Sequence, residues 1–413
     1  MKRIKKFLLL AVCFSLVGCV SNKQNGDEGL ITKLVENDKI KTGALVEETK
    51  SPEMPIEVCK ELPKFSKKDK PWSSWDLTNK DISSFDLSNN NDVFDSMFDS
   101  NTVFPKELPE GFDPIDLMEK GKNPGLGIKK LHEQGITGKG VTIAIIDQPL
   151  LLTHESIKDN MKLYELIDSH SGIASMNGVG MTSIAVGKDN GIAPDAKVYY
   201  ISVSTMKMKD GKVYLDDSFF IDGIKRVLEY NEVLDENDKI KVISIGYQVT
   251  EDSENYQEII ETIQQAKEKG VFVITPYLEK DYGITLYDLD RDMSKDLDDY
   301  RSYTFATGMR MHPFDQSGEK ILNIPTNHVT YAGYLSDHDY VFSANGGSGR
   351  IYPWLTGMYA LCLQADPELS GKEFLNLAMD TGYQSTVQFD GKEYTLSKII
   401  NPSGMIEALK EAD

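Results

Sequence analysis

Four short runs rich in β-branched residues constrain this chain most: VTIAII from Val141, VYYISV from Val198, IKVISI from Ile240 and VFVIT from Val271. Each is apolar at nearly every position instead of every second one, the pattern of a strand buried on both faces in a parallel sheet. Amphipathic stretches lie between them, SFFIDGIKRVLEY from Ser218 and YQEIIETIQQAKEK from Tyr256. The second has a basic last turn and Gly270 as its stop. Strands alternating with helices predict an α/β fold, a doubly wound and mostly parallel sheet with helices on both faces. A length of 413 residues leaves room for that domain and for accessory segments.

The N-terminal segment has a separate character. Lys2, Arg3, Lys5 and Lys6 precede the apolar run from Phe7 to Gly18. That run is too short to span a bilayer comfortably and suits the h-region of a signal peptide. It ends in Leu16-Val17-Gly18-Cys19, which resembles the bacterial lipobox. The resemblance implies that residues 1–19 are a lipoprotein signal peptide and that Cys19 is acylated. The expected location is the outer face of the bacterial cell membrane, held by lipid and not by a transmembrane helix. Residues 20–70 have the composition of a polar tether, and residues 71–115 read as an irregular lead-in. Within the lead-in, Asp76, Asp81 and Asp86 recur every five residues, as do Leu77, Ile82 and Leu87. The domain proper is expected over 116–413. A net charge of -20 excludes a nucleic-acid partner, because phosphate neutralisation needs clustered Lys and Arg. With Cys13 in the signal and Cys19 lipidated, Cys59 and Cys362 remain and are read as free thiols; sequence alone leaves pairing open.

Three landmarks inside the predicted domain resemble the subtilisin-like serine peptidase family. LHEQGITGKGVTIAIID, from Leu131 to Asp147, is similar to the entry to the first core strand, which in that family ends on the catalytic Asp. His154 matches a non-catalytic histidine of many members. SMNGVGMTSIAVG from Ser175, followed by GIAPDAKVYY from Gly191, resembles the helix that opens on His-Gly and the turn and strand after it. NGGSGRIYP, from Asn345 to Pro353, resembles the nucleophile segment, where Ser stands four residues before a Pro inside the next helix. The resemblance covers about residues 116 to 383 in the family's order and implies its doubly wound fold.

Where the match fails, the chemistry fails with it. The serine position holds Gly349 and the histidine position Asn177, so Asp147 alone survives of the implied triad. In that mechanism a Ser hydroxyl attacks the carbonyl and a His takes its proton and later returns it. Glycine has no oxygen to attack with, and an amide neither accepts nor relays a proton near neutral pH. Losing either group costs roughly 10⁶ in turnover on this machinery. An oxyanion Asn is also missing after the strand from Val271, where Pro276, Tyr277 and Leu278 stand.

The chain is therefore expected to be a pseudo-peptidase that binds a peptide or protein, with no cofactor and no metal site. Asn177 is expected to donate its amide to Asp147, and Ser348 to cap the helix that follows it. Two alternatives stand beside this reading. One is an active endopeptidase with a relocated Ser348–His170–Asp147 triad; the other is a structural surface lipoprotein whose groove is filled by Arg350 or Tyr352. Arg350 is also a candidate partner for the Asp147 carboxylate. The carboxylates of DLDRDMSKDLDD, from Asp288 to Asp299, lack the spacing of a calcium-binding EF-hand loop and read as a solvated face or helix start.

Overall fold

Regular structure begins well before the expected domain boundary. The computed structural model describes residues 44–45, 48–64, 74–167, 172–209, 212–306 and 314–412; the signal segment, Cys19 and His170 lie outside them. Strands β1 (Ala44–Leu45), β2 (Glu57–Val58), β3 (Trp75–Asp76), β4 (Lys80–Asp81) and β5 (Ser96–Asp99) precede helices α1 (Pro114–Gly121) and α2 (Ile128–Glu133). The five-residue period is built as a repeat, which corrects the irregular lead-in. Asp76, Asp81 and Asp86 each accept the backbone N–H two residues on, at 3.1, 2.9 and 2.9 Å. That Asx turn reverses the chain once per unit. Leu77, Ile82 and Leu87 are fully buried, and their N–H groups donate to Met97, Val103 and Glu107 carbonyls at 2.7–2.9 Å. The lead-in therefore buries its own apolar column, centred on Trp75, Phe98 and Phe112.

The strand runs read from the sequence form β6 (Thr142–Asp147), β8 (Lys197–Val203), β11 (Ile240–Ser244) and β12 (Phe272–Ile274), with β7 (Met161–Ile167) between the first two and a hairpin β9 (Met206–Lys209) and β10 (Lys212–Leu215) after β8. The main sheet has the order β1-β7-β8-β6-β11-β12, parallel except for β1 against β7. Helices α3 (Met176–Val186), α4 (Phe219–Val233) and α5 (Tyr256–Glu268) fall between strands as the pattern predicts. Alternate residues of β6 face opposite layers: Ile143 and Ile145 join the main core cluster, whereas Ile146 meets α4. Gly223 permits that approach, since a Cβ there would come within 2.9 Å of the Ile146 side chain. Between β7 and α4, the buried Glu165 accepts from Arg226 Nε at 2.8 Å and from the Tyr230 hydroxyl.

After the short helix α6 (Leu278–Tyr282) come β13 (Thr285–Arg291), β14 (Tyr303–Phe305), β15 (Ile321–Pro325), β16 (Val329–Ala332) and β17 (Tyr340–Ser343). Then follow α7 (Ile351–Ala365), α8 (Gly371–Thr381), the hairpin β18 (Tyr383–Phe389) and β19 (Lys392–Ile399), and α9 (Pro402–Ala412). A second sheet has the order β14-β13-β15-β19-β18, and a third, β16-β17-β5-β3, joins the lead-in to the domain. Phe98 of β5 packs against Phe342 of β17 with ring centroids 5.0 Å apart, so the boundary expected near residue 116 divides one packed body. Helix α7 is apolar all round and buried from Ile351 to Leu363, as a central helix must be. Gln364 near its end ties down the loop entering β6: its Oε1 accepts from Thr137, Gly138 and Lys139 at 2.8, 2.8 and 3.2 Å, and its Nε2 donates to Gly135. Cys59 and Cys362 are both buried and unpaired.

Candidate active-site cleft

Asp147 closes β6 at the C-terminal edge of the sheet and is 3% exposed. Its Oδ1 accepts the Gln148 N–H at 2.7 Å. Burial outweighs that hydrogen bond and pushes the carboxyl up to about 7. The turn beyond it is tight against α3. Ser175 caps this helix and donates its N–H to the Pro149 carbonyl at 2.7 Å. At Gly178 a Cβ would stand 2.3 Å from the Gln148 carbonyl oxygen. Only glycine fits there, which gives a local reason for the Gly of the Asn177-Gly178 pair.

Asn177, at the second position of α3, is exposed. The hydrogen bond expected between its amide and Asp147 does not form among the described residues. Both side chains interact with Tyr247 instead. Its hydroxyl is buried without a well-formed hydrogen bond among the described residues, yet interacts with Asp147, Asn177, Thr205 and Gln148. Burial and the neighbouring Asp147 carboxylate raise the phenol well above its ordinary range. The ring is braced edge-on against Phe219 at 5.5 Å.

Gly349 is the middle residue of a 3₁₀ turn, Ser348–Arg350, that leads into α7. It faces Gly246 across the cleft, and a Cβ on Gly349 would meet nothing nearer than the Gly246 carbonyl at 3.9 Å. A serine side chain therefore has room at this position. Ser348 is exposed and makes no capping hydrogen bond, contrary to expectation; the turn closes through Arg350 N–H to the Gly347 carbonyl at 2.9 Å. No hydrogen bond joins Ser348 to Asp147 among the described residues.

Arg350 does not reach Asp147 either. Its guanidinium lies over the Tyr331 ring at 4.8 Å and donates to the Thr326 and Asn345 carbonyls at 3.2 and 3.3 Å. Tyr352 is buried, its ring 3.9 Å from where a Cβ on Gly246 would stand. The side chain that interacts with Asp147 is that of Tyr247, which the sequence does not single out. A signal for it existed: β6 and β11 are parallel with Ile145 opposite Ser244, so Gly246 and Tyr247 fall level with Asp147 and Gln148.

His154 has a structural task. Fully buried, it donates Nε2–H to the Asp339 carbonyl at 2.8 Å and accepts the Ser156 N–H on Nδ1 at 3.1 Å, and burial lowers its pKa. The acidic stretch after Asp288 supplies turns: Asp292, Asp296 and Asp299 accept N–H groups two residues on at 2.9–3.0 Å.

Residues 138–275 match the model of the subtilase family, Peptidase_S8. No curated protein matches the chain. Among solved structures it is similar to the prenylagaramide maturation protease PagA, at 17% identity and TM-score 0.47, over 68% of this chain and 98% of that one. It is also similar to a cold-adapted subtilisin-like serine proteinase, at 14% identity and TM-score 0.43 over 64% and 89%. The A-subunit of an AB5 toxin from E. coli aligns at 11% identity and TM-score 0.48 over 70% and 99%.

Proposed function

Starting from a chain that carries a subtilisin-like peptidase domain, we propose that it is a catalytically inactive member of that family. On this reading it is lipid-anchored through Cys19 outside the cell membrane, and its cleft binds an extended peptide or protein segment without cutting it. The observation that carries the inactive reading is the surroundings of Asp147. The buried carboxylate interacts with the Tyr247 phenol, position 177 holds an amide where the mechanism requires an imidazole, and Gly349 supplies no hydroxyl. On this reading the positions held by Asn177 and Gly349 supply neither a proton acceptor nor an attacking oxygen.

Retention for binding is supported by the backbone beyond β11. Residues 246–249 make no backbone hydrogen bond among the described residues and begin opposite Gly349. A free run of this kind is suited to adding a strand from an extended ligand. The test is incubation of the purified chain with a fluorophosphonate probe. No serine is expected to be labelled, and stoichiometric labelling would overturn the reading.

A further inference from the structure

Beside the turn that carries Gly349 lies a small cavity with unmet hydrogen-bond donors in its walls. Arg350 of the turn, Trp354 in the first turn of α7, and Thr326 between β15 and β16 line it, with Asn190 and Thr330. The remaining lining is glycine, proline and aliphatic, and it contains no carboxylate. We infer that this cavity binds one small monovalent anion of chloride size, held by Arg350, Trp354 and Thr326. The site is independent of whether the cleft cuts peptides.

Two buried polar atoms supply the first ground. Trp354 is 3% exposed and Thr326 1%, and neither Trp354 Nε1 nor Thr326 Oγ1 has a hydrogen-bond partner among the described residues. Folded proteins leave few such groups unmet, and the void that both residues line is where a partner can sit. Charge supplies the second. Arg350 Nη1 donates to the Thr326 and Asn345 carbonyls at 3.2 and 3.3 Å, and Nη2 to the Tyr331 hydroxyl at 3.3 Å. Its Nε–H and the other Nη2–H have no partner among the described residues. Asp288 senses the guanidinium charge but makes no hydrogen bond or ion pair with it among those residues.

Size and the remaining polar groups choose the occupant. The cavity measures about 20 Å³, above the ~10–15 Å³ that one water needs. A water would meet the donors but would bring two protons of its own. Asn190 is already engaged: its Oδ1 accepts from Ser156 at 2.9 Å, and its Nδ2 donates to the Ser183 hydroxyl and the Thr330 carbonyl at 3.1 and 3.2 Å. The Thr330 hydroxyl donates to the Met118 carbonyl at 2.8 Å. An anion needs no acceptor, takes the indole, hydroxyl and guanidinium donors together, and neutralises Arg350. It thereby ties the Gly349 turn to the link between β15 and β16.

The test uses the whole purified chain at constant ionic strength, with gluconate, too large for the cavity, exchanged for chloride. The Trp354 indole N–H resonance is identified among those of the three tryptophans by its loss in Trp354→Phe. It should move saturably with chloride while the other two stay still. In Arg350→Gln the half-saturating chloride concentration should rise at least about tenfold, as the loss of a charge-assisted hydrogen bond implies. The melting midpoint should climb with chloride in the unmodified chain and less in Trp354→Phe, which keeps the ring and loses the donor. That comparison, together with Arg350→Lys, serves should Arg350→Gln fail to fold. An indole signal indifferent to chloride would overturn the inference and leave a water as the occupant. A shift shared by all three indoles, or an equal chloride response in the variants and the unmodified chain, would overturn it as well.

Discussion

Asp147 is buried at the end of β6 with a carboxyl pushed up to about 7, and this has a consequence for stability. The folded value lies above the ordinary 3.8, so the native state holds a proton that the unfolded chain releases. The stabilisation linked to that proton is complete below pH 3.8 and is lost as pH rises through about 7. Asp147→Asn keeps an oxygen for the Gln148 N–H but cannot ionise. It should therefore gain stability relative to the wild type between pH 4 and pH 8, by an amount on the order of a few kcal/mol. Urea unfolding of both chains at the two pH values measures it, and parallel pH slopes would contradict it. Asp339, also raised to about 7 by burial and by Asp99, adds a slope of the same sign in both chains and cancels in the comparison. At this scale the sequence displayed the Asp, the amide and the glycine as letters in family order. It did not display Tyr247, because a residue following a strand gives no local sign of which side chains it will meet. The expected Asn177–Asp147 bond does not form among the described residues, and both side chains interact with Tyr247 instead.

The strands of the main sheet were readable because burial on both faces writes itself as unbroken β-branched text, and α4 and α5 because their apolar stripes repeat at 3.6 residues. The lead-in was harder. A period of five matches neither helix nor strand, and two and a half units fall short of the length at which a stacked coil is ordinarily trusted. Its order depends on carbonyls of Met97, Val103 and Glu107, which lie up to some twenty residues away in sequence. The column is nonetheless built like a core. Ile82 is fully buried, so Ile82→Ala should cost about 2–5 kcal/mol, read as a shift of the denaturant midpoint. The Gln364 clamp makes a second prediction at this scale. Gln364→Ala removes the acceptor shared by Thr137, Gly138 and Lys139 and should cost about 1–3 kcal/mol. Gln364→Glu, which keeps the acceptor, should cost less, and an equal loss in the two variants would show that the shared oxygen is not what matters.

For the whole molecule, the N-terminal segment joins two roles that the sequence kept apart. A tether was expected as far as residue 70, yet β1 at Ala44–Leu45 already pairs with Leu166 and Glu165 on the outer edge of β7. A few residues later Lys50 donates to the Gly172 carbonyl and accepts from the Ala174 N–H, each at 2.8 Å, and the Thr49 hydroxyl accepts the Leu152 N–H at 2.8 Å. These contacts fall on the loops that flank Asp147 and Asn177, so the segment braces the rim of the cleft as well as covering a sheet edge. An uncovered edge strand is a template for pairing with another chain. A chain beginning at residue 51 should therefore lose about 1–4 kcal/mol from the missing hydrogen bonds and should self-associate as its concentration rises. Light scattering across a dilution series, beside the melting midpoint, checks both effects. Adding back a synthetic peptide of residues 43–51 should reverse the association by re-covering β7. A truncated chain that stays monomeric at every concentration, with an unchanged midpoint, would mean that this segment rests on the domain without holding it.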